Sequence, residues 1–224
     1  MKIAIDGPAG AGKSTIALLV AKRLGLRYLD TGAMYRAVTL QALRTDTACD
    51  NGRTLVDMLT KTDLVIEFEL ETGRNLVYIN GENVTEAIRK PEVTGNVSLV
   101  SSHAELRELI VAMQQEIARP GRIVMDGRDI GTVVMPDAQW KFFLWATVEE
   151  RALRRQKQLA EAGFKVDLAE LEEQIRQRDH FDSHREVSPL RKAEDAIEVD
   201  TTNLTIPEVV DSLLRWIRGG SPDV

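Results

Sequence analysis

The residues with the clearest chemistry lie near the start of the chain, where a glycine-rich segment follows the strand-like residues Ile3–Asp6. The segment from Gly7 to Ser14 matches G-x-x-x-x-G-K-[ST], a loop whose backbone N–H groups surround nucleotide phosphates. Lys13 can reach the β- and γ-phosphates, and the Ser14 hydroxyl can ligate Mg²⁺. A helix beginning near Ser14 would add its positive dipole end. The residues expected to bind a nucleoside triphosphate are Gly7, Pro8, Ala9, Gly10, Ala11, Gly12, Lys13, Ser14 and Thr15.

A second group of reactive side chains, Asp126-Gly127-Arg128-Asp129, comes directly after the apolar residues Ile123–Met125. The carboxyl ends of parallel strands face one crevice, where ligands bind, so this group is expected beside the phosphate loop. Asp126 can then hold Mg²⁺ through water, while Arg128 and Asp129 point at a second substrate. The alternative is a surface turn with a local Arg–Asp pair.

Further arginines suit a phosphoryl-transfer site. Arg36 follows Asp30 at a predicted helix start and can clamp a phosphate through its fork of donors, unless it is a solvated arginine on the helix face. Arg178, Asp182 and Arg185 are spaced i, i+4 and i+7, so they share one face if the helix is continuous. Arginines there would stabilise charge on the transferring oxygens. The alternative is a surface salt-bridge ladder.

Two other clusters are ambiguous. Arg151, Arg154 and Arg155 form a basic group on the preceding helical segment, with the same two interpretations. His180 and His184 are spaced i, i+4 and could bind Zn²⁺, but no Glu follows His180 as the H-E-x-x-H motif requires. We therefore favour a solvated helix face for the histidines.

The elements that must position these residues alternate between strands and helices. We predict strands at residues 1–6, 27–30, 123–125, 141–145 and 196–199. We predict helices at residues 14–24, 33–43, 54–59, 91–101, 104–118, 149–183 and 207–217, with a break at Gly163-Phe164. This alternation indicates an α/β protein with a parallel sheet covered on both faces.

An antiparallel β-meander interrupts the alternation. Residues 64–70 and 76–79 are rich in β-branched and aromatic side chains, and Asn80-Gly81 is a strong hairpin signal. Val84 is expected to begin a third short strand. We interpret this region as an insertion into the α/β chain.

Composition limits the class of protein. The chain has 224 residues and a formal net charge of −6, which makes DNA or RNA a poor partner. No apolar run approaches the roughly 20 residues that span a bilayer, so we expect no membrane association. Residues 1–6 lead directly into the phosphate loop and are expected to form a strand, not a signal peptide. Cys49 is the single cysteine, so no internal disulfide can form. We expect a cytoplasmic monomer.

Some nucleotide-binding classes do not fit the sequence. The N-K-x-D motif of switch GTPases and the H-R-D and D-F-G segments of protein kinases do not occur. A small phosphate-loop fold remains, with arginines on a charged segment and a β-insertion. This combination suits an enzyme that excludes water while a phosphate moves to a small acceptor.

Four segments together resemble the bacterial-type cytidylate kinases: residues 7–15, 30–36, 126–134 and 178–190, collinear within a match from residue 3 to about 217. The resemblance implies a P-loop nucleoside-monophosphate-kinase-like fold, with a central parallel sheet flanked by helices, a small antiparallel β insert and a helical lid. It implies one domain with a core at 1–59, 96–147 and 191–224, an NMP-binding insert at 60–95 and a lid at 148–190. In the family, ATP phosphorylates CMP or dCMP with Mg²⁺.

The resemblance also implies residue roles. Ser98, Arg107 and Asp129 would meet the cytosine base. Arg36 and Arg128 would hold the CMP phosphate. The CMP-binding set as a whole would be Thr31, Tyr35, Arg36, Ser98, Arg107, Arg128, Asp129, Arg178 and Asp182. The catalytic set would be Lys13, Arg128, Arg178 and Arg185, the last of which meets the transferring phosphoryl group. Ser14 and, through water, Asp126 would hold the metal. Arg151 and Arg155 would contact ATP.

Two other hypotheses stay open at this point. The first is a kinase for a different small acceptor, such as another nucleoside monophosphate, shikimate or dephospho-coenzyme A; the segment 126–132 and the β-insertion argue against it. The second is a non-catalytic regulator that binds ATP and uses the lid as a switch. The presence of Lys13, Ser14, Asp126 and both lid arginines argues against that one.

Overall fold

The structure is a computed structural model that describes residues 1–69, 71–161 and 163–219. Leu70, Ala162 and residues 220–224, which belong to the predicted insert, lid and core, lie outside the described part. The eight strands are β1 (Lys2–Asp6), β2 (Arg27–Asp30), β3 (Leu64–Phe68), β4 (Asn75–Ile79), β5 (Glu82–Asn83), β6 (Ile123–Gly127), β7 (Trp140–Trp145) and β8 (Ile197–Asp200). The eight α-helices of the described residues are α1 (Lys13–Leu24), α2 (Thr31–Arg44), α3 (Gly52–Leu59), α4 (Pro91–Val100), α5 (Ala104–Ala118), α6 (Val148–Glu161), α7 (Leu168–His184) and α8 (Ile206–Ile217). A short 3₁₀ helix (Ala87–Arg89) and a π-helical turn (Ile130–Val134) complete the helical elements of these residues.

Five strands form a parallel sheet in the order β2-β6-β1-β7-β8. The central strand β1 is apolar and buried from Ile3 to Ile5, as expected for a strand covered on both faces. Its last residue, Asp6, pairs in register with Gly127, and Asp30 pairs with Asp126. The carboxyl ends of these strands therefore meet at one edge of the sheet, where the predicted site residues follow them.

Helices cover the two faces of the sheet and create two apolar cores. On one face, residues from α2, α3 and α5 pack around Ala4, Leu29 and Met125. On the other, residues from α1 and α8 pack around Ile3, Ile5 and Val124. Successive side chains along β1 and β6 point to opposite faces of the sheet, so each strand contributes residues to both cores. The predicted α/β architecture is confirmed.

The insertion forms a separate three-stranded antiparallel sheet in the order β3-β4-β5. Asn80 and Gly81 both have positive φ, 50° and 80°, so the hairpin predicted there is confirmed. The prediction for Val84 is wrong, because β5 ends at Asn83; Val84 is instead buried and donates its N–H to the carbonyl of Val77. The sheet packs on the side of α2 that faces away from the main sheet, through residues such as Ala37.

Helices α6 and α7 pack against each other and form the segment 148–190, called here the lid segment. A connection that includes Gly163 and Phe164 separates them, as the sequence predicts, and the side chain of Asp167 caps α7 by accepting from the N–H of Glu170. No helix in the described ranges has the length and apolar character needed to cross a bilayer.

Candidate active site

The phosphate loop joins β1 to α1, and its first glycine is required by close packing. Gly7 has a φ of 147°, and a Cβ there would lie 1.9 Å from the carbonyl oxygen of Leu144. Gly12 caps α1 in the left-handed region, so the helix begins at Lys13, one residue before the predicted start. The strand, loop and helix start thus occur in the order that the phosphate-binding motif requires, with the N-terminus of α1 at the loop.

Lys13 is buried within this loop. Its Nζ donates to the carbonyl oxygen of Pro8 at 2.7 Å. Burial, reinforced by the positive charge of Arg128, lowers the pKa of Lys13 to about 7. The loop thus holds an amine that a polyphosphate would return to its charged form.

Ser14 and Asp126 meet across the loop. The Ser14 hydroxyl donates to Oδ2 of Asp126 at 2.8 Å, and the Tyr28 hydroxyl donates to Oδ1 at 2.8 Å. Burial, together with the neighbouring Asp30 carboxylate, raises the pKa of Asp126 to about 6. One hydroxyl and one carboxylate beside a phosphate loop fit Mg²⁺, which usually keeps water and takes few protein ligands. Within the described ranges, no group of three His, Cys, Asp or Glu side chains could form a fuller protein cage.

Arginines from three elements meet beside the loop. Nε of Arg128 donates to Oδ2 of Asp182 at 2.8 Å, and Nε of Arg178 lies 4.0 Å from the same oxygen. Burial and the neighbouring Arg128 lower the pKa of Arg178 to about 10. Arg36 donates to the Thr94 hydroxyl at 2.8 Å, and burial lowers its pKa as well. Asp182 thus sits between two guanidiniums, and the cluster can accept an anionic substrate.

Arg185 lies beyond the end of the continuous helix on which its predicted shared face with Arg178 depended. Helix α7 ends at His184, and Arg185 has an extended conformation with φ −62° and ψ 144°. Its NH2 group lies 3.9 Å from Oδ1 of Asp129, and its Nε donates to the carbonyl oxygen of Ser188 at 2.7 Å. Arg185 therefore reaches the site through the turn after the helix, and it does not share the helix face with Arg178.

Arg107 and Asp129 form a buried ion pair. NH2 of Arg107 lies 2.5 Å from Oδ2 of Asp129, and NH1 donates to the carbonyl oxygen of Ser101 at 3.0 Å. The Arg107 side chain is only 2% exposed, which excludes a solvated role on the surface of α5. Its Nε has no hydrogen-bond partner among the described residues, and its guanidinium lies 5.2 Å from the Tyr35 ring.

The remaining acceptor-side residues lie on α2 and α4. The Thr31 hydroxyl donates to the carbonyl oxygen of Asp126 at 2.7 Å, so it links β2 to β6. Tyr35 is buried, burial raises its pKa to about 12, and its hydroxyl has no partner among the described residues. Ser98 is half-buried on α4, and its carbonyl accepts from the Ser101 hydroxyl at 3.1 Å.

The three arginines of the basic group on α6 lie in different environments. Arg151 is buried; it donates to the carbonyl oxygen of Ala9 at 3.0 Å and to Oδ2 of Asp179 at 2.6 Å. Arg154 instead binds the carbonyl oxygen of Thr201 at 2.5 Å. Arg155 donates to Gln158 at 2.7 Å on the exposed side of the helix. Arg151 and Arg155 were both predicted to contact ATP. Arg151 contacts the phosphate loop at Ala9, whereas Arg155 binds Gln158 on its own helix.

Asp6 is a site residue that the sequence-based assignment of roles did not include. Its carboxylate accepts the N–H groups of Ile130 at 2.8 Å and Gly131 at 2.7 Å, across 124 residues of sequence. Burial raises the pKa of Asp6 to about 7. Because Asp6 directly precedes Gly7, it ties the phosphate loop to the segment that carries Arg128. The sequence feature that could have identified Asp6 is its place at the end of the first strand, directly before the phosphate loop.

Among the described residues, neither His180 nor His184 forms a hydrogen bond or an ion pair with the phosphate loop. Both rings are exposed and stack on each other with centroids 4.1 Å apart. Nδ1 of His184 lies 2.8 Å from the carbonyl oxygen of His180. The solvated helix face that we favoured agrees with this geometry.

Known proteins that resemble this chain identify its family. The family model for cytidylate kinase matches residues 3–219. A cytidylate kinase from a Geobacillus species is 53% identical over 218 residues, covering 97% of this chain and 96% of the relative. One from Bacillus cereus is 51% identical over 219 residues, with 98% and 96% coverage. A solved shikimate kinase from Bacteroides thetaiotaomicron matches 97% of this chain and 98% of its own at 15% identity, with a TM-score of 0.48. On the strength of the family match and the two relatives, the chain belongs to the cytidylate kinase family.

Proposed function

We propose that this protein transfers the γ-phosphoryl group of ATP to CMP and dCMP, and so forms CDP and dCDP by in-line displacement. The observation that carries the proposal is the combination of two neighbouring sites. A phosphate loop binds the donor, and a buried Arg107–Asp129 pair lies at the other end of the arginine cluster. The named relatives are cytidylate kinases, which supports cytosine as the acceptor base.

The polarity of the Arg107–Asp129 pair supports this choice of base. Cytosine presents an exocyclic amine that donates and a ring nitrogen that accepts, whereas uracil presents a carbonyl and an N–H at those places. A carboxylate beside a guanidinium therefore matches cytosine and opposes uracil. Ser98 is proposed to contribute to the same pocket from α4.

The arginines are proposed to act by position and charge. Arg36 and Arg128 would hold the acceptor phosphate, and Arg178 with Asp182 would hold phosphate and sugar. Lys13, Arg128, Arg178 and Arg185 would stabilise charge on the transferring oxygens, because phosphoryl transfer depends on positioning and electrostatics more than on covalent chemistry.

Ser14 and, through water, Asp126 are proposed to hold Mg²⁺ at the phosphate loop. The ion, when bound, would neutralise charge on the β- and γ-phosphate oxygens. Tyr28 would keep the Asp126 carboxylate turned toward Ser14, as its 2.8 Å hydrogen bond supports. On the donor side, Arg151 would hold the lid segment against the loop at Ala9. Arg155 remains a weaker candidate for an ATP contact.

A substrate panel tests the proposal. Purified protein with MgATP is assayed with CMP, dCMP, UMP and AMP, and with shikimate and dephospho-coenzyme A, by following ADP release. We expect the highest kcat/KM with CMP and dCMP. Higher activity with any other acceptor would favour the alternative kinase, and no turnover with any acceptor would favour a non-catalytic regulator. A monomeric state, the absence of a nucleic-acid partner and a cytoplasmic location remain predictions.

A further inference from the structure

Asn75 of β4 is a buried side chain that joins the insert to the edge of the main sheet. Its Oδ1 accepts the backbone N–H of Asp30 at 2.7 Å, and its Nδ2 donates to the backbone carbonyl of Tyr28 at 2.6 Å. Since β2 is the edge strand of the five-stranded sheet, these two backbone groups have no neighbouring strand on that side. One amide side chain thus satisfies the donor and the acceptor that a paired strand would satisfy.

The two residues that Asn75 holds are connected to the site. The Tyr28 hydroxyl donates to Asp126, and the Asp30 carboxylate caps α2 by accepting the N–H of Ala33 at 3.1 Å. Thr31, the first residue of α2, donates to the carbonyl oxygen of Asp126. The position of the β2–α2 junction therefore determines where α2 directs Thr31 and the acceptor-side residues that follow it.

Two other contacts join the insert to this junction, and both are more exposed. NH2 of Arg89 lies 3.8 Å from Oδ2 of Asp30, and the Arg89 side chain is 60% exposed. The Arg27 guanidinium lies 5.2 Å from the Phe68 ring, and both residues are half-buried. Exposed ion pairs contribute little to a fixed geometry, whereas buried hydrogen bonds with both partners present define one arrangement. Asn75 is therefore the contact that can set the junction.

We propose that Asn75 is a positioning residue for the acceptor nucleotide: it fixes the β2–α2 junction, and through it α2, in the orientation that binds the acceptor. The inference rests on the proposed function, because it concerns the same acceptor site. It makes a directional claim. Loss of Asn75 should disturb acceptor binding more than donor binding, since the phosphate loop is held separately by β1, α1 and Asp6.

Steady-state kinetics of Asn75→Ala test the claim. We expect KM for CMP to rise about tenfold or more, since small misplacements of binding groups carry costs of that size, while KM for ATP changes less than about twofold. Arg44→Ala is the matched control. Arg44 also joins α2 to the insert, through two exposed hydrogen bonds to Glu82 at 2.8 and 2.9 Å. The control should leave both KM values unchanged.

Asn75→Asp provides a test that remains informative if Asn75→Ala folds poorly. A protonated carboxyl group at this position still accepts from Asp30 and donates to the Tyr28 carbonyl, but an ionised carboxylate cannot donate. The defect of N75D in KM for CMP should therefore shrink as pH falls from 8 to 6. The charged groups at the junction are Arg27, Asp30, Arg89 and, beyond Tyr28, Asp126. Dividing each value by that of the unaltered enzyme at the same pH removes their titration.

The outcomes separate this inference from the proposed function. If the unaltered enzyme does not phosphorylate CMP, the proposed function fails. If it does, and Asn75→Ala raises both KM values equally or only lowers Tm, Asn75 is merely structural and the inference is wrong. A pH-independent defect in N75D would contradict the hydrogen-bonding role assigned to the amide.

Discussion

Arg107 and Asp129 form the buried ion pair that we propose to read the acceptor base. The pair is only 2% and 7% exposed, so either partner without the other would leave a charge unpaired in the interior. Arg185 approaches Asp129 from the opposite oxygen at 3.9 Å. A base with a different donor and acceptor pattern would therefore leave these polar groups unpaired, because no solvent reaches them to replace the lost hydrogen bonds.

Arg107→Met tests base reading directly. Discrimination by hydrogen bonding predicts that CMP exceeds UMP by at least about 100-fold in kcat/KM in the unaltered enzyme. The variant should lose far more kcat/KM for CMP than for UMP, so the ratio should shrink. Arg119→Met, which removes an exposed guanidinium just beyond α5, is the control and should leave the ratio unchanged. An unchanged ratio in Arg107→Met would transfer the role to Ser98 and Asp129.

Lys13→Ala tests the electrostatic contribution of the phosphate loop. Removal of one preorganised charge donor from a transfer site typically costs about 100-fold or more in kcat, and we expect at least that loss. Single-turnover measurement with saturating ATP and CMP separates the chemical step from binding. Turnover close to that of the unaltered enzyme would overturn the assignment of the loop.

Proton uptake should accompany ATP binding because the free enzyme holds Lys13 with a pKa of about 7. At pH 8 such an amine is about nine-tenths neutral, and a bound triphosphate would restore its charge. Calorimetry of a non-hydrolysable ATP analogue in buffers of different ionisation enthalpy should show uptake of close to one proton. Lys13→Arg, which is always charged, should abolish the uptake. Equal uptake by both proteins would assign it to another group.

The same pKa shift affects stability with a definite sign. The folded pKa of Lys13 lies below its ordinary value of 10.5, so the unfolded chain binds more protons between about pH 7 and 10. The contribution of Lys13 to the free energy of unfolding therefore rises with pH across that window. A phosphate bound at neutral pH would offset the cost of burying the charged amine.

Sequence reasoning succeeded at the residue scale where chemistry follows a strand directly. Lys13, Ser14 and Asp126 could be placed because β1 and β6 are short, apolar and parallel. The hydrogen bonds of Asp6 and Asn75 could not, since they join residues 124 and 45 or more positions apart and depend on how loops pack. Arg107 needed the family resemblance, because its position on α5 alone does not distinguish a buried arginine from a surface one.

At the scale of elements, the lid segment contacts both the phosphate loop and the segment after β6 that carries Arg128. Arg151 of α6 binds both Ala9 in the phosphate loop and Asp179 of α7, while Asp182 of α7 binds Arg128. The lid thus contacts the site mainly through charged groups, and α6 and α7 bury few of their own residues. Such segments are drawn from the less stable parts of a fold.

The end of α7 shows the limit of pattern reasoning. Helical spacing places Arg185 on the same face as Arg178 only if the helix is continuous, and α7 ends one residue before Arg185. Ser188 has a φ of 49° and precedes Pro189, whose ring restricts the residue before it. The turn directs the Ser188 carbonyl back to Arg185. The proline was visible in the sequence, but the hydrogen bond from Arg185 to Ser188 that closes the turn was not.

Hydrogen exchange tests closure of the lid. We expect amides of residues 148–190 to exchange faster in the free enzyme and to become protected by an ATP–CMP bisubstrate analogue, because anions would occupy the guanidiniums that converge there. Asp179→Asn should increase exchange in the free enzyme, since it weakens the Arg151 contact. Glu172→Gln, which alters an exposed pair with Arg176, is the control. Equal protection with and without the analogue would contradict closure.

At the scale of the whole molecule, the distribution of charge matters more than its sum. The chain has a formal net charge of −6, yet Arg128 and Arg178 flank one buried carboxylate, Asp182, and Arg36 lies close enough to Arg128 to feel its charge. Burial lowers the pKa of Arg36 and Arg178, which means that their charged forms are disfavoured without a ligand. The free fold therefore carries an electrostatic cost that anionic substrates relieve on binding.

This cost predicts that simple anions stabilise the free enzyme. Sulfate at ten times its dissociation constant would add about 1.4 kcal/mol to the free energy of unfolding by mass action. For a chain of this size, that corresponds to a rise in Tm of about 3–6 °C. Differential scanning fluorimetry in sodium sulfate, compared with sodium chloride at equal ionic strength, measures the specific part of the effect.

A pair of substitutions on α7 assigns the anion effect to the site. Arg178→Met removes a guanidinium that borders Asp182, whereas Arg176→Met removes one that is 48% exposed and pairs with Glu172 on the outer surface. Sulfate stabilisation should fall in the first variant and persist in the second. If both variants keep the full rise in Tm, or if chloride reproduces it, the anion acts elsewhere and the proposed electrostatic cost of the free site is wrong.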